Sequence, residues 1–165
     1  MAWYKSTPAT TKGRGPMKLK HLLALAVLTT CAWAQNTASA RAEDEAAIRK
    51  AALDYVEGWY EGNGDRMQAA VHPSLAKRIA RTDAATGKTQ LQELSAEQLV
   101  KYTRDGGGKK TPPAEQVKDV KILDIFQNAA TVRAEMAGWV DYMHLAKVDG
   151  QWRIVNVLWA TKPKK

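Results

Sequence analysis

The chain is 165 residues long and carries a formal net charge of +8. Five of its cations (Lys5, Lys12, Arg14, Lys18, Lys20) precede Arg41 with no carboxylate among them, and removing them from the 25 Lys and Arg leaves 20 against 17 Asp and Glu, a surplus of three. That balance, interspersed rather than clustered, argues against a nucleic-acid partner, which needs a basic face for phosphate contacts.

The leader reads as an export signal. Lys18, Lys20 and His21 form a basic stretch, Leu22 to Cys31 an apolar one, and Ala32-Trp33-Ala34 a small-x-small cleavage site, with Ala38-Ser39-Ala40 as a second. The apolar run falls short of the roughly 20 residues a membrane span needs, so no stable membrane insertion is expected after cleavage. Leu28-Thr29-Thr30-Cys31 resembles a lipidation box, but Thr before the Cys fits that processing poorly. The expected organisation is a disordered upstream extension at 1–16, a cleavable signal at 17–34, a linker at 35–42, one folded domain at 43–162 and a basic tail at 163–165. The mature protein would be periplasmic or secreted.

Along the domain the pattern changes type in order. Ile48, Ala52, Tyr55, Val56 and Trp59 recur at helical spacing from about Glu43 to Glu61, and Gly62-Asn63-Gly64 ends the run. Asp65 with Gln68 forms a capping-box pattern for a short second helix, closed by Pro73, which disfavours helical geometry at His72. Arg78 to Thr82 and Thr89 to Leu94 read as a hairpin. Ser95 with Gln98 caps a third helix to about Arg104, and Gly106-Gly107-Gly108 begins a flexible linker that Pro112-Pro113 stiffens.

Three β segments are expected after that: Val117 to Phe126, Ala130 to Val148 and Gln151 to Thr161. With Asn128-Ala129 as the first turn, Asp124 and Arg133 form a cross-strand ion pair. Asp149-Gly150 is the favoured dipeptide of a type I′ hairpin. Pairing Val148 with Gln151 sets Tyr142 opposite Val157, His144 opposite Val155 and Val140 opposite Trp159 on one face, with Trp139, Asp141, Met143 and Leu145 on the other. A bulge at Gly138 would leave open which face looks inward.

Cysteine and histidine limit the chemistry. Cleavage removes Cys31, the single cysteine, and leaves His72 and His144 without ligand spacing, so no metal site and no Cys nucleophile is expected. Asp141, on an apolar stripe, either forms a structural pair with Arg153 or Arg78 or serves as an acid-base group.

The order of elements, together with Tyr55-Val56-Glu57-Gly58-Trp59, Gly64-Asp65-Arg66-Met67, His72-Pro73-Ser74-Leu75-Ala76-Lys77-Arg78, Leu94-Ser95, Gly138-Trp139-Val140-Asp141-Tyr142, His144-Leu145 and Trp152 to Trp159, resembles the nuclear transport factor 2-like superfamily. Within it the chain is most similar to the small bacterial proteins called putative lumazine-binding proteins. The resemblance implies an α+β, cone-shaped (cystatin-like) fold, with three helices from the N-terminal half packed on a strongly curved antiparallel sheet.

In such a cone the first helix and the inner sheet face enclose a pocket. Tyr55, Trp59, Tyr142, His144 and Trp159 offer it aromatic walls with polar tips, His72 stands where it could line the mouth, and Asp141 completes the candidate ligand-binding set. The same aromatics read equally well as core. The expected function is an exported protein holding a small aromatic or amphipathic ligand, without turnover, cofactor or metal. One alternative is an acid-base enzyme like the ketosteroid isomerases and polyketide cyclases, using Asp141 or His144 with a Tyr. Another is an accessory dimeric scaffold. The two apolar sheet faces predict a homodimer through the sheet.

Overall fold

The structure, a computed structural model, describes the backbone of residues 19–163 and the side chains of residues 39–163. The expected extension at 1–16, the side chains of the expected signal at 17–34 and most of the basic tail lie outside the described residues. The chain divides into two units, 1–39 and 40–165. Of the first, the described part is helical backbone from Leu19, the start of helix α1 (Leu19–Glu61). Residues 35–42, expected as a linker, are helical too. Among the described residues no helix is long and apolar enough to cross a membrane.

In the second unit α1 is followed by α2 (Gly64–Ala70), β1 (Val71–Thr82), β2 (Thr89–Ser95), α3 (Ala96–Arg104), a 3-10 turn (Pro113–Glu115), β3 (Asp119–Phe126), β4 (Ala129–Glu135), β5 (Trp139–Val148) and β6 (Gln151–Thr161). The six strands form one sheet in the order β2-β1-β6-β5-β4-β3. Four pairs of chain neighbours run antiparallel, but β1 and β6 run parallel, so the sheet is mixed rather than wholly antiparallel. Helices on one sheet face make this the expected α+β cone.

Local chemistry explains the boundaries. Gly62 takes φ +66 and the Asn63 amide donates back to Gly58 O at 2.8 Å, so α1 stops in a left-handed cap that glycine enters without strain. The cap of α2 is Asn63, whose side chain accepts from the Arg66 amide, and not Asp65, which instead pairs with Arg104 at 2.7 Å. In α3 the capping box of Ser95 and Gln98 is formed as expected, and Leu99, Val100 and Thr103 bury one face. Asp149 and Gly150 both have positive φ (49° and 77°), as the type I′ turn requires.

Several expected boundaries are corrected. The segment Ala130 to Val148 is two strands, broken at Met136-Ala137-Gly138, where the Met136 amide donates to Trp139 O at 2.9 Å. Strand β1 begins at Val71, seven residues before the expected start, and Pro73 falls in the irregular stretch between Val71 and Ala76 where pairing with β6 is interrupted. The β3–β4 turn is Gln127-Asn128, and a bulge between Ile122 and Asp124 places Asp124 opposite Thr131 and Arg133 opposite Lys121. The expected Asp124–Arg133 pair is therefore absent, and Arg133 bonds Glu135 instead.

The core lies between the inner sheet face and the helices: Ile48, Ala52, Tyr55 and Val56 of α1 and Met67 of α2 bury against Val132, Ala134, Met143, Leu145, Ile154 and Val157. Polar contacts fix α1 across the sheet. Arg49 donates to Val120 O, Tyr60 Oη links Val117 O and the Ala137 amide, and Asp44 accepts from Lys147 and Trp152 in the β5–β6 hairpin. The Gly106 to Gly108 stretch is no flexible linker. A Cβ at Gly108 would stand 2.2 Å from Trp59 O, and one at Gly107 would stand 2.6 Å from the Trp59 ring, so the turn packs directly on the end of α1.

Candidate functional site

One residue in β6 sets the composition of the inner face. Val148 pairs with Gln151 and Leu145 with Ile154 as expected, but His144 pairs with Asn156, leaving Val155 as a bulge. Beyond it the alternation changes phase. Trp152 and Ile154 point inward before the bulge, Val157 and Trp159 after it. The partners of β5 shift accordingly: Asp141 stands opposite Trp159, Met143 opposite Val157 and Tyr142 opposite Leu158. The expected pairs Tyr142–Val157, His144–Val155 and Val140–Trp159 are corrected by this one-residue offset, which brings Asp141 and Trp159 to the same face.

That face, α1, α3 and the β1–β2 hairpin enclose a cavity of about 480 Å³. Tyr55 and Trp59 come from α1, Leu99 and Tyr102 from α3, Lys77, Ile79 and Arg81 from β1, Gln92 to Leu94 from β2, Met136 from the break between β4 and β5, and Trp139, Trp159 and Thr161 from β5 and β6. Its aromatic wall is continuous. Trp139 lies edge-to-face with Trp59 at 5.9 Å and with Trp159 at 6.1 Å between ring centroids, the preferred geometry for aromatic pairs.

At one side of this apolar wall sits a buried charge pair. Strand alternation puts Leu75, Lys77 and Ile79 inward together, so Lys77 enters the core side with its side chain only 8 % exposed. Its ammonium donates to Asp141 Oδ1 at 2.6 Å and to Tyr55 Oη at 2.7 Å. Trp139 Nε1 donates to Asp141 Oδ2 at 3.2 Å. Both oxygens of a carboxylate with no exposed surface are thereby satisfied, as a buried charge requires. Lys77 Nζ also stands 4.8 Å from the centre of the Trp159 ring, and the Arg81 guanidinium stands 5.8 Å from it.

The two titratable neighbours are displaced in ways that follow from burial. Desolvation holds the Lys77 ammonium below the ordinary lysine value, with the Asp141 charge and hydrogen bond working against that shift. Burial, then the Asp141 charge, pushes the Tyr55 phenol well above the ordinary tyrosine range. The phenol is therefore a hydrogen-bonding group, never a phenolate, near neutral pH.

Of the expected site residues, the structure brings together Tyr55, Trp59, Asp141 and Trp159. Tyr142 and His144 point to the outer sheet face, Tyr142 47 % exposed and His144 beside Asn156 at 3.3 Å. His72 neither lines the cavity nor caps a helix; its Nδ1 accepts from the Ser74 amide at the head of β1. Sequence reasoning missed Lys77 and Trp139 as site residues. Extending β1 back to Val71 would have set Lys77 on one stripe with Val71, Leu75 and Ile79. The expected partners of Asp141 are corrected as well: Arg153 bonds Ala69 O and Gln151, and Arg78 bonds Glu93 and Asn156.

Comparison with known proteins agrees with this architecture. Three bacterial nuclear transport factor 2-like proteins of unknown function superpose on the chain. The one from Shewanella baltica OS155 has a TM-score of 0.57 at 20% identity over 74% of this chain and 97% of that one. The one from Silicibacter pomeroyi DSS-3 has a TM-score of 0.57 at 16% identity over 74% and 98%. The one from Methylobacillus flagellatus KT has a TM-score of 0.54 at 23% identity over 73% and 94%. These likenesses establish the fold. No curated protein matches the chain. The model of a family described as putative lumazine-binding matches residues 43–160, from the first buried turns of α1 to the end of β6, and the chain belongs to that family.

Proposed function

We propose that the protein binds a flat aromatic small molecule in the cone cavity and does not turn it over. The observation that carries this reading is the wall of Trp59, Trp139 and Trp159 around a cavity of about 480 Å³ with one buried ammonium at its side. A largely apolar cavity with a few placed polar groups is the usual form of a small-molecule site. The acid-base alternative needs a free base beside the ligand. Asp141 is committed to Lys77 and Trp139, and His144 is on the outer face, which favours the binder.

Two further parts of the proposal concern setting. The basic, apolar and small-x-small segments of residues 17–34 support export to the periplasm or beyond. The exposed cross-strand neighbours Tyr142 and Leu158 support a homodimer through the outer sheet face.

Native mass spectrometry of protein purified from its own compartment tests all three. Extra mass per subunit, a subunit beginning after residue 34 and a doubled native mass are expected. Titration with pterins, flavins and sterols should quench tryptophan emission; an unchanged spectrum across all three classes, with no co-purifying mass, would refute the ligand.

A further inference from the structure

We propose that Lys77 captures carbonyl-bearing aromatic ligands covalently, as a reversible protonated imine. This rests on the binding reading above and names the ligand class: flat aromatic aldehydes or reactive ketones. The geometry is that of an amine with both its helpers already in place. Lys77 Nζ faces a cavity large enough for a fused two-ring molecule, and its two neighbours are a carboxylate that can take a proton from the ammonium at 2.6 Å and a phenol at 2.7 Å.

The step balances without a further reagent. The ammonium passes one proton to Asp141, and the freed nitrogen lone pair forms the C–N bond to the carbonyl carbon. The carbonyl oxygen takes up a proton, for which the Tyr55 hydroxyl, 2.7 Å from Nζ, is the neighbouring donor. The carbinolamine nitrogen then returns a proton to Tyr55, Asp141 gives the proton it took to the hydroxyl, and loss of water breaks the C–O bond, leaving the iminium beside an ionised Asp141. Ammonium and aldehyde enter; protonated imine and water leave, with two of the ammonium hydrogens in the water.

The charge is conserved throughout, and this is what makes the site suited to the product. The iminium retains one N–H and one positive charge, so Asp141 keeps an ion-pair partner and no lone charge is left buried. An apolar wall protects the imine from hydrolysis by limiting water, and the cation still faces the Trp159 ring. Desolvation, which works against the ammonium here, also raises the share of the nucleophilic amine. Arg81, exposed at the mouth, offers no such nucleophile.

The test uses the full chain with naphthaldehyde as probe and naphthylmethanol, which has the same ring and no carbonyl, as control. Both should quench tryptophan emission. Cyanoborohydride, added as hydride source, reduces any imine to a stable amine, and peptide mapping then locates one naphthylmethyl group. We expect labelling of Lys77 to be about tenfold faster than that of exposed lysines such as Lys88, because its reaction partners are held in place. Lys77→Arg keeps the cation beside Asp141 but forms no imine, so it should fold and lose that label. Quenching by both probes with label only on exposed lysines, equal in the parent and K77R, overturns covalent capture and leaves the binding reading standing. Absence of both quenching and Lys77 label removes the two together.

Discussion

Lys77 Nζ lies 2.6 Å from Asp141 Oδ1, two residues 64 positions apart in the chain, on strands that flank β6 without touching each other in the sheet. Removing one partner strands the other charge in an apolar wall. Asp141→Leu alone should therefore cost about 3–5 kcal/mol, and the double change Lys77→Met with Asp141→Leu should cost much less. Urea denaturation of the two singles and the double reads the coupling; additive effects would show that the pair is not what holds these strands in place.

Tyr55 gives a second, spectroscopic prediction. Its phenol is raised by burial and by Asp141, so the folded state holds its proton more tightly than the unfolded state does. The resulting stability is present below the ordinary tyrosine value of 10.0 and is lost as pH rises past it toward the folded value. Ultraviolet titration should find fewer phenols ionising in the native protein than in urea, with Tyr55→Phe narrowing the gap by one phenol. An unchanged gap in that variant would contradict the burial.

The packing of Gly108 on Trp59 predicts an asymmetry between glycines. A methyl at Gly108 would meet backbone oxygen at 2.2 Å, while one at Gly138 meets nothing within 4 Å. Gly108→Ala should lower stability by about 1–3 kcal/mol, as overpacking does, and shift tryptophan emission by displacing the Trp59 ring from the cavity wall. Gly138→Ala should do neither. Equal melting temperatures for the two variants would mean that the turn is not seated on α1.

Asp44 links α1 to the β5–β6 hairpin, and its acid is held below the ordinary aspartate range by the Lys147 hydrogen bond first and that of Trp152 second. A depressed acid contributes stability that is present above the unfolded value of 3.8 and lost as pH falls through the folded one. Asp44→Ala should lower stability at neutral pH by about 1 kcal/mol, solvent screening keeping the figure small. It should also flatten the acid limb of the melting curve against pH. A variant with the parent's full acid sensitivity would place that dependence elsewhere.

Much of this was legible in the residues. The periodicity of α1, the capping box at Ser95 and the Asp149-Gly150 turn are local signals, each set by neighbours within a few positions, and each is found where it is expected. The cavity wall was legible in part, through Tyr55, Trp59 and Trp159. What could not be read was phase. Alternation carries a face assignment along a strand only while pairing is unbroken, and the bulge at Val155 offsets everything beyond it by one residue. That offset moved Val157 and Trp159 to the face of Asp141 and away from Tyr142 and His144. Lys77 was hidden for a related reason: its strand starts at Val71, across a proline that reads as a boundary.

The place of β6 in the sheet also bears on how the molecule comes into being. It is the last strand in the chain, yet it sits between β1 and β5, pairing parallel with the one and antiparallel with the other. A growing chain that has made everything up to Val148 has both Lys77 and Asp141 but no strand to bring them within reach, and it lacks Trp159. Pairings between distant parts of a sequence form slowly, because the loop must close before the contact stabilises it. The cavity is thus a product of the final insertion: until β6 enters, the two halves of the sheet have no common edge. A chain interrupted before Gln151 would lack Trp159 and the strand that joins the two halves of the wall.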